Sequence, residues 1–440
     1  MKEPLDLSRL TQRDYGRFLL GGNPFPSIAV AEENPILLVD REQVMDAIKD
    51  TITACYTSGK SRTMVIQGVY GSGKSHVLRY TKSRINSQLG SSKERKTVAV
   101  YVESPLSSFR GLYSEILEDL GEDFVRDLAY RMVAKFVDSV DNALDGIVIP
   151  QDLDGTLKGR IRTGLNSDPA YFNDLISREL VRHLDLFTRM VKAYSQEFKV
   201  TDYFKVFLRM TDPVVESTSW LWLTGEELNR HERELLGVQS SLEEERGLDA
   251  FHDLKRILAL NGYPMIFILQ DELEKITELH FSLKSRYFDD LRHFVDANTE
   301  GMCLIACVTP AGFSELEASG HPLYRRLLAS NFTLVPFDTT LTEELIKAYV
   351  LLSRQEYLRS TGKTPEDLSR EISARNGDPN LYPFDSAVID PIRNASLGNI
   401  GEILTNCRKV IDSACDDSNI TKIDSIPFVT SIISPPQVEV

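Results

Sequence analysis

Eight consecutive residues, Gly68-Val69-Tyr70-Gly71-Ser72-Gly73-Lys74-Ser75, have the types and spacing needed to hold a phosphate chain. They match G-x-x-x-x-G-K-[ST]. Gly68, Gly71 and Gly73 let backbone N–H groups curl around an anion with no Cβ in the way. Lys74 offers a point charge to the β- and γ-phosphates of ATP, and the Ser75 hydroxyl is of the kind that ligates Mg²⁺. Tyr70 and Ser72 lie in the same loop and His76 directly follows it, so all three count as nucleotide-binding positions. A glycine-rich turn with an incidental lysine is the plain alternative. The strand-like Met64-Val65-Ile66-Gln67 before the motif and the helical pattern from His76 to Ile85 after it favour the phosphate loop.

A second pattern is Met265-Ile266-Phe267-Ile268-Leu269-Gln270-Asp271-Glu272. A buried strand ending in adjacent acids delivers carboxylates to its carboxyl end, where ligands bind in open α/β sheets. Asp271 is expected to hold Mg²⁺ through water, and Glu272 to orient and deprotonate an attacking water. Glu274 is the second candidate for the base; it and Lys275 otherwise read as helix-surface residues. Thr309 closes the apolar run Met302–Val308. Its hydroxyl is either a sensor of the γ-phosphate or lytic water, or a plain strand stop before Pro310. Tyr324-Arg325-Arg326-Leu327 is either a solvated surface or an arginine finger that reaches the nucleotide of a neighbouring subunit. The pattern does not choose between Arg325 and Arg326. The histidines show no ligand spacing.

Elements that could position these groups follow from periodicity. Met64–Gln67, Val98–Val102, Met265–Leu269, Cys303–Val308 and Phe332–Val335 read as short buried strands separated by helical patterns, an α/β arrangement. Phe124, Leu128, Met132 and Phe136, like Leu248, Phe251, Leu254 and Leu258, form helical stripes, and 110–260 reads as a helical insertion. The expected organisation is a helical lead-in over 1–22, a nucleotide-binding core over 23–338, a helical lid over 339–416 and a flexible tail over 417–440. The tail reading rests on Pro427, Pro435 and Pro436.

Composition narrows the partners. A net charge of −15 argues against a surface coated for nucleic acid. Locally, Lys60, Arg62, Lys74, Arg79, Lys82, Arg84, Lys93, Arg95 and Lys96 face only Glu94, which is either a solvated surface or a patch that meets polyanion phosphates. No apolar run is long enough to span a membrane, no secretory signal is expected, and the unpatterned cysteines fit a reducing cytoplasm.

Gly68–Ser75, Ile266–Glu272, Thr309 and the run from Arg326 to Phe337 together resemble the AAA+ core of origin-recognition-like P-loop ATPases. Asn23-Pro24-Phe25-Pro26 with Asp40-Arg41-Glu42 is similar to the group's N-terminal box near the adenine. Tyr382-Pro383-Phe384 and Gly398-Asn399-Ile400-Gly401-Glu402 resemble its lid. More narrowly, Trp222–Glu226, Leu236–Val238, Gly262-Tyr263 and Asp271–Glu274 resemble the ATP-binding proteins of BREX-type defence systems. The resemblance implies a five-stranded parallel sheet of order 5-1-4-3-2. It also implies ATP and Mg²⁺ as ligands, and a homo-oligomer whose sites are shared between subunits. Two departures stand out: Gly401 where relatives carry a sensor arginine, leaving Arg408 as a substitute, and no room for a DNA-reading winged helix. The expected function is an ATPase in a DNA-directed, antiphage multi-protein complex; if DNA contacts the chain, residues 60–96 are expected to meet it through phosphates. The alternative is an ATP-controlled switch or scaffold that recruits an effector such as a nuclease and hydrolyses slowly.

Overall fold

The computed structural model describes residues 13–26, 38–39, 41–92, 95–103, 108–139, 184–318, 322–327 and 330–433. The chain forms two units. One comprises Asp46–Gln67 and Thr81–Phe332; the other comprises Met1–Met45, Gly68–Tyr80 and Thr333–Val440.

The first unit is built on β1 (Arg62–Gln67), β2 (Thr97–Val102), β3 (Met265–Gln270) and β4 (Met302–Val308), with β5 (Asn331–Thr333) completing the sheet. The order is β2-β3-β4-β1-β5, which is the expected 5-1-4-3-2 read from the other side. Every residue of β3 and β4 is buried. Central parallel strands are covered on both faces, which is why these runs are continuously apolar rather than alternating. Gln67 lies opposite Val308, Ala306 opposite Gln270 and Gln270 opposite Val102. β1 and β4 thus end level with each other and β2 and β3 end level about two residues earlier, with all four carboxyl ends along one edge of the sheet. The last strand departs from expectation: β5 ends at Thr333, whereas the apolar run extends to Val335. Val335 is exposed, and Pro336 has no N–H for a ladder.

The helices α4 (Glu122–Ser139) and Gly247–Leu260 fall where the stripes predict them, α3 (Phe109–Leu120) precedes them within the insertion, and Leu128, Met132, Phe251, Leu254 and Leu258 are buried. These side chains share one continuous core with Val100, Ile266, Ile268 and Leu304 of the strands. Phe294, on the helix Phe281–Ala297, joins the two: its ring lies 4.9 Å from that of Phe109 and 4.8 Å from that of Phe251. Asp253 adds a polar clamp, its buried carboxylate accepting the N–H groups of Lys199 and Val200, both at 2.8 Å. The described part of the insertion is thus an extension of the sheet's core, not a separate lobe. Residues 140–183 of the expected insertion lie outside the described residues.

Several members of the basic run in this unit are already engaged. Lys82 pairs with Asp119 at 2.6 Å, Arg95 donates to the Tyr56 carbonyl at 2.6 Å, and the Lys96 ammonium lies 5.7 Å from the Tyr263 ring centre. Lys93 and Glu94 lie outside the described residues.

The second unit has its own core, formed by Phe18, Phe25, Phe337, Ile346, Phe384, Ile403, Cys407, Ile411, Ile423 and Val429 among others. Its helices include Thr339–Thr361, Pro365–Ala374, Ile389–Ala395, Ile400–Asp416 and Ile426–Ile432. Two expectations change here. The described part of the lead-in holds a short turn of 3₁₀ helix, Tyr15–Phe18, followed by buried Leu19 and Leu20. Residues 417–433 are not a loose tail: Ser425 caps a helix whose first turn holds Pro427, and Val429 is fully buried. Proline is tolerated in a first turn because its missing N–H has no helical partner there. Pro435 and Pro436 lie outside the described residues. Among the described residues, no helix is long and apolar enough to cross a membrane.

If insertion and sheet share one core, Phe294→Ala should cost about 3–5 kcal/mol. Urea unfolding should then show both regions melting in one earlier transition; loss confined to the insertion would contradict the shared core.

Candidate functional site

The phosphate loop leaves the sheet directly after Gln67, the last residue of β1, and runs into the helix α2 (Lys74–Gln88). Its backbone is tightly held. Lys74, only 6% exposed, donates through Nζ to the carbonyls of Gly68 at 2.7 Å and Val69 at 3.2 Å. An ammonium has three protons, so one remains for a phosphate. The Ser72 carbonyl accepts from Arg41 Nη2 at 2.7 Å, the Tyr70 carbonyl from Asn399 Nδ2, and the Gly71 carbonyl from the Gly401 N–H at 3.1 Å. Ser72 Oγ is buried with no hydrogen-bond partner among the described residues. Glycine backbones, a lysine proton and an orphaned hydroxyl fit a bound phosphate. Ser75 and His76 occupy the first turn of α2, and Tyr70 is exposed at the tip of the loop.

The acid pair sits one step past β3. Asp271 is buried; its N–H donates to the Val102 carbonyl at 2.8 Å, and its carboxylate accepts from the Tyr101 hydroxyl at 2.9 Å and the Glu272 N–H at 3.0 Å. Leu273 N–H then donates to the Cys307 carbonyl at 3.0 Å. The chain is pinned to β2 before Glu272 and to β4 after it, and Glu272 itself is bent to φ 47°. A left-handed backbone costs a residue with a Cβ about 1–2 kcal/mol, and such strain gathers at working sites. The Glu272 carboxylate pairs with Lys275 Nζ. A carboxylate such as that of Asp271 is an oxygen donor of the kind that suits a hard cation like Mg²⁺.

Glu274 is not the surface residue its position suggested. It is 5% exposed, and its carboxylate accepts the Thr309 N–H at 3.1 Å. That engagement makes it a brace for the end of β4 rather than a water-facing base. Thr309 is itself buried, and its Oγ1 accepts the Gly312 N–H at 3.2 Å, capping the helix Pro310–Ala318. The hydroxyl proton is still available to a sensor role.

The two arginines separate clearly. Arg326 Nε and Nη2 grip Asp296 at 3.0 and 3.3 Å, while its carbonyl accepts from Thr63 Oγ1 at 2.8 Å. The Arg325 side chain is exposed and makes no hydrogen bond or ion pair among the described residues. Arg408, the possible substitute sensor, donates to the Phe25 carbonyl at 2.6 Å and lies 3.9 Å from Asp412, so it is occupied. Sequence reasoning did not find Tyr101, read Lys275 only as a helix-surface residue, and quoted Arg41 and Asn399 only as parts of local or family-like segments. An asparagine one residue before an apolar helical stripe is an N-cap signal, and it was the available clue to Asn399. Among the described residues no group of His, Cys, Asp and Glu gathers as a metal cluster.

Three solved structures are similar to this chain. The Aeropyrum pernix ORC2 protein in ADPNP and ADP complexes is 10% identical with a TM-score of 0.47, over 92% of this chain and 70% of that one. Drosophila ORC bound to DNA is 10% identical with a TM-score of 0.44, over 99% and 70%. The Aeropyrum pernix ORC1 protein in complex with DNA is 12% identical with a TM-score of 0.42, over 94% and 68%. No curated protein matches the sequence. The family described as BREX system ATP-binding protein BrxC/D matches residues 34–345, well over half of the 440. By that match, the chain belongs to the BrxC/D family of BREX system ATP-binding proteins.

Proposed function

We infer that this protein binds ATP with Mg²⁺ and hydrolyses it, acting in the cytoplasm as an oligomeric member of a DNA-directed defence complex. Membership of an ATP-binding BREX family supports the nucleotide and the system. The observation that carries the hydrolytic reading is the common edge of the parallel strands. β1 ends at Gln67, opposite Val308, and leads into the phosphate loop; β4 leads directly into Thr309, and β3 into Asp271 and Glu272. Ligands of open α/β sheets bind beyond such carboxyl ends.

In this reading Lys74 and the loop amides take the phosphates. Ser75 would ligate Mg²⁺ and Asp271 would hold it through water, and the bound ion would neutralise and orient the phosphate oxygens. Tyr101 fixes the rotamer of Asp271. Glu272, turned out of the strand direction by its backbone, accepts a proton from the attacking water. Thr309 offers its hydroxyl proton as a sensor. Arg325, with no hydrogen bond or ion pair among the described residues, is the arginine that reaches a neighbouring subunit's γ-phosphate; Arg326 is held by Asp296 and serves the fold. Other proteins of the complex supply most of the specificity. DNA contact runs through phosphates, so it should weaken steeply with salt.

One observation favours slow turnover. Lys275 holds the Glu272 carboxylate in an ion pair, and a base so engaged must be released before it takes a proton. A nucleotide-controlled switch that assembles with ATP and recruits an effector uses the same site as a timer. Turnover measured with and without DNA separates the readings: strong stimulation supports the motor-like ATPase, and ATP-dependent assembly with negligible turnover supports the switch.

Lys74→Ala should weaken ATP binding by about a hundredfold or more, read by titration calorimetry. Glu272→Gln should bind ATP as the wild type does yet lose about 10²–10⁴-fold in turnover; normal phosphate release by that variant would remove Glu272 from the mechanism. In the assembled protein, Arg325→Ala should cost about a thousandfold in turnover, with Arg326→Ala close to wild type. The reverse ranking would exchange their roles.

A further inference from the structure

A phosphate held by this loop meets the N–H groups of Gly71, Gly73 and Lys74, each of which shares a peptide with the carbonyl of the residue before it; the Ser72 N–H between them donates to the Val69 carbonyl at 3.2 Å. A trans peptide is planar and its C=O and N–H point in opposite directions. Whatever holds a carbonyl therefore aims the next N–H. All of the carbonyls from Tyr70 to Gly73 are held. Gly73 O accepts from Val77 N–H at 3.0 Å, within the helix. Ser72 O accepts from Arg41 Nη2 at 2.7 Å. Gly71 O accepts from Gly401 N–H at 3.1 Å, and Tyr70 O from Asn399 Nδ2. The last two donors come from the start of the helix Ile400–Asp416, distant in sequence and in the same unit as the loop.

We propose that Asn399 is a positioning residue for phosphate binding, through which the C-terminal helix Ile400–Asp416 presets the loop amides and in turn registers their occupancy. The inference rests on the reading of the loop as the ATP site.

Asn399 is suited to this by having both a donor and an acceptor. Its Oδ1 accepts the Glu402 N–H at 3.2 Å and caps the helix, while its Nδ2 reaches the Tyr70 carbonyl. Aspartate or serine caps as well as asparagine, but aspartate has no donor and serine is too short to reach. Gly401 belongs to the first turn, where N–H groups have no helical partner, and the loop carbonyl satisfies it. The approach is close enough to demand glycine: Gly71 lies at φ +72°, and a Cβ there would stand 2.2 Å from Asn399 Oδ1. A carbonyl that accepts a hydrogen bond also polarises its peptide and makes the attached N–H a stronger donor. Coupling of this kind is reciprocal. Binding a phosphate must tighten the helix start as much as the helix start tightens the phosphate.

Asn399→Ser separates the two duties, because it retains the cap and removes the loop contact. ATP–Mg²⁺ titration should show affinity about tenfold weaker than wild type, with the melting temperature of the nucleotide-free protein unchanged. Hydrogen exchange should show ATP slowing the Ile400–Glu402 amides in the wild type and much less in the variant. Asn399→Asp, which also keeps the cap, should lose affinity in the same way and serves if the serine variant folds poorly. Wild-type affinity in both variants, or no effect of ATP on those amides in the wild type, overturns the proposal. A wild-type chain that does not bind ATP at all overturns instead the reading of the site.

Discussion

An amide can face an anion only if the carbonyl at the other end of its peptide is satisfied elsewhere. This constraint governs the phosphate loop. A loop of glycines has the freedom to curl but nothing in itself to prefer the curl, since glycine loses more conformational entropy on ordering than any other residue. The order comes from donors outside the loop, Arg41, Asn399 and Gly401, together with Lys74 folded back on Gly68 and Val69. Each bond is modest, about 1 kcal/mol net. Acting on consecutive peptides, they preorganise one cradle. The loop's membership of the same unit as residues 333–440 follows from them.

The acid pair obeys a related logic with a sheet in place of a helix. Asp271 and Leu273 each donate to a neighbouring strand, to Val102 and Cys307, and the residue between them has to turn. The left-handed backbone of Glu272 is the consequence. Its cost of about 1–2 kcal/mol is offset by the two main-chain bonds, the Tyr101–Asp271 contact and the burial of β3 and β4. Strain stored in this way gives the carboxylate a direction that no flexible loop would keep. Lys275 then holds that carboxylate from the following turn.

Around these elements the packing is divided rather than continuous. The strands and the described helices of the insertion bury one set of side chains, with Phe294 between Phe109 and Phe251. The C-terminal helices and the segment from Phe18 to Phe25 bury another. Residues near both ends of the described chain belong to this second core, where Arg13 and Tyr15 bond to Asp412 and Asp416. The helix Ile400–Asp416 carries both those acids and Asn399, so the far end of the helix that caps the loop is itself anchored.

The residues alone settled what depends on near neighbours in the chain. The phosphate loop, the acids at a strand end and the helical stripes at 124–136 and 248–258 are all written in local spacing, because a glycine turn, a strand period and a helix period each act over a few residues; the strand order came from family likeness alone. Tertiary structure decided the rest. Asn399 and Tyr70, Arg41 and Ser72, Tyr101 and Asp271, and Arg326 and Asp296 are pairs separated by stretches with no period to announce them. Glu274 became a buried brace and Ile426–Ile432 a helix because apolar and backbone partners were waiting there. A hydrogen bond between distant residues leaves no trace in either one's neighbourhood, and only the folded chain brings its two ends within reach.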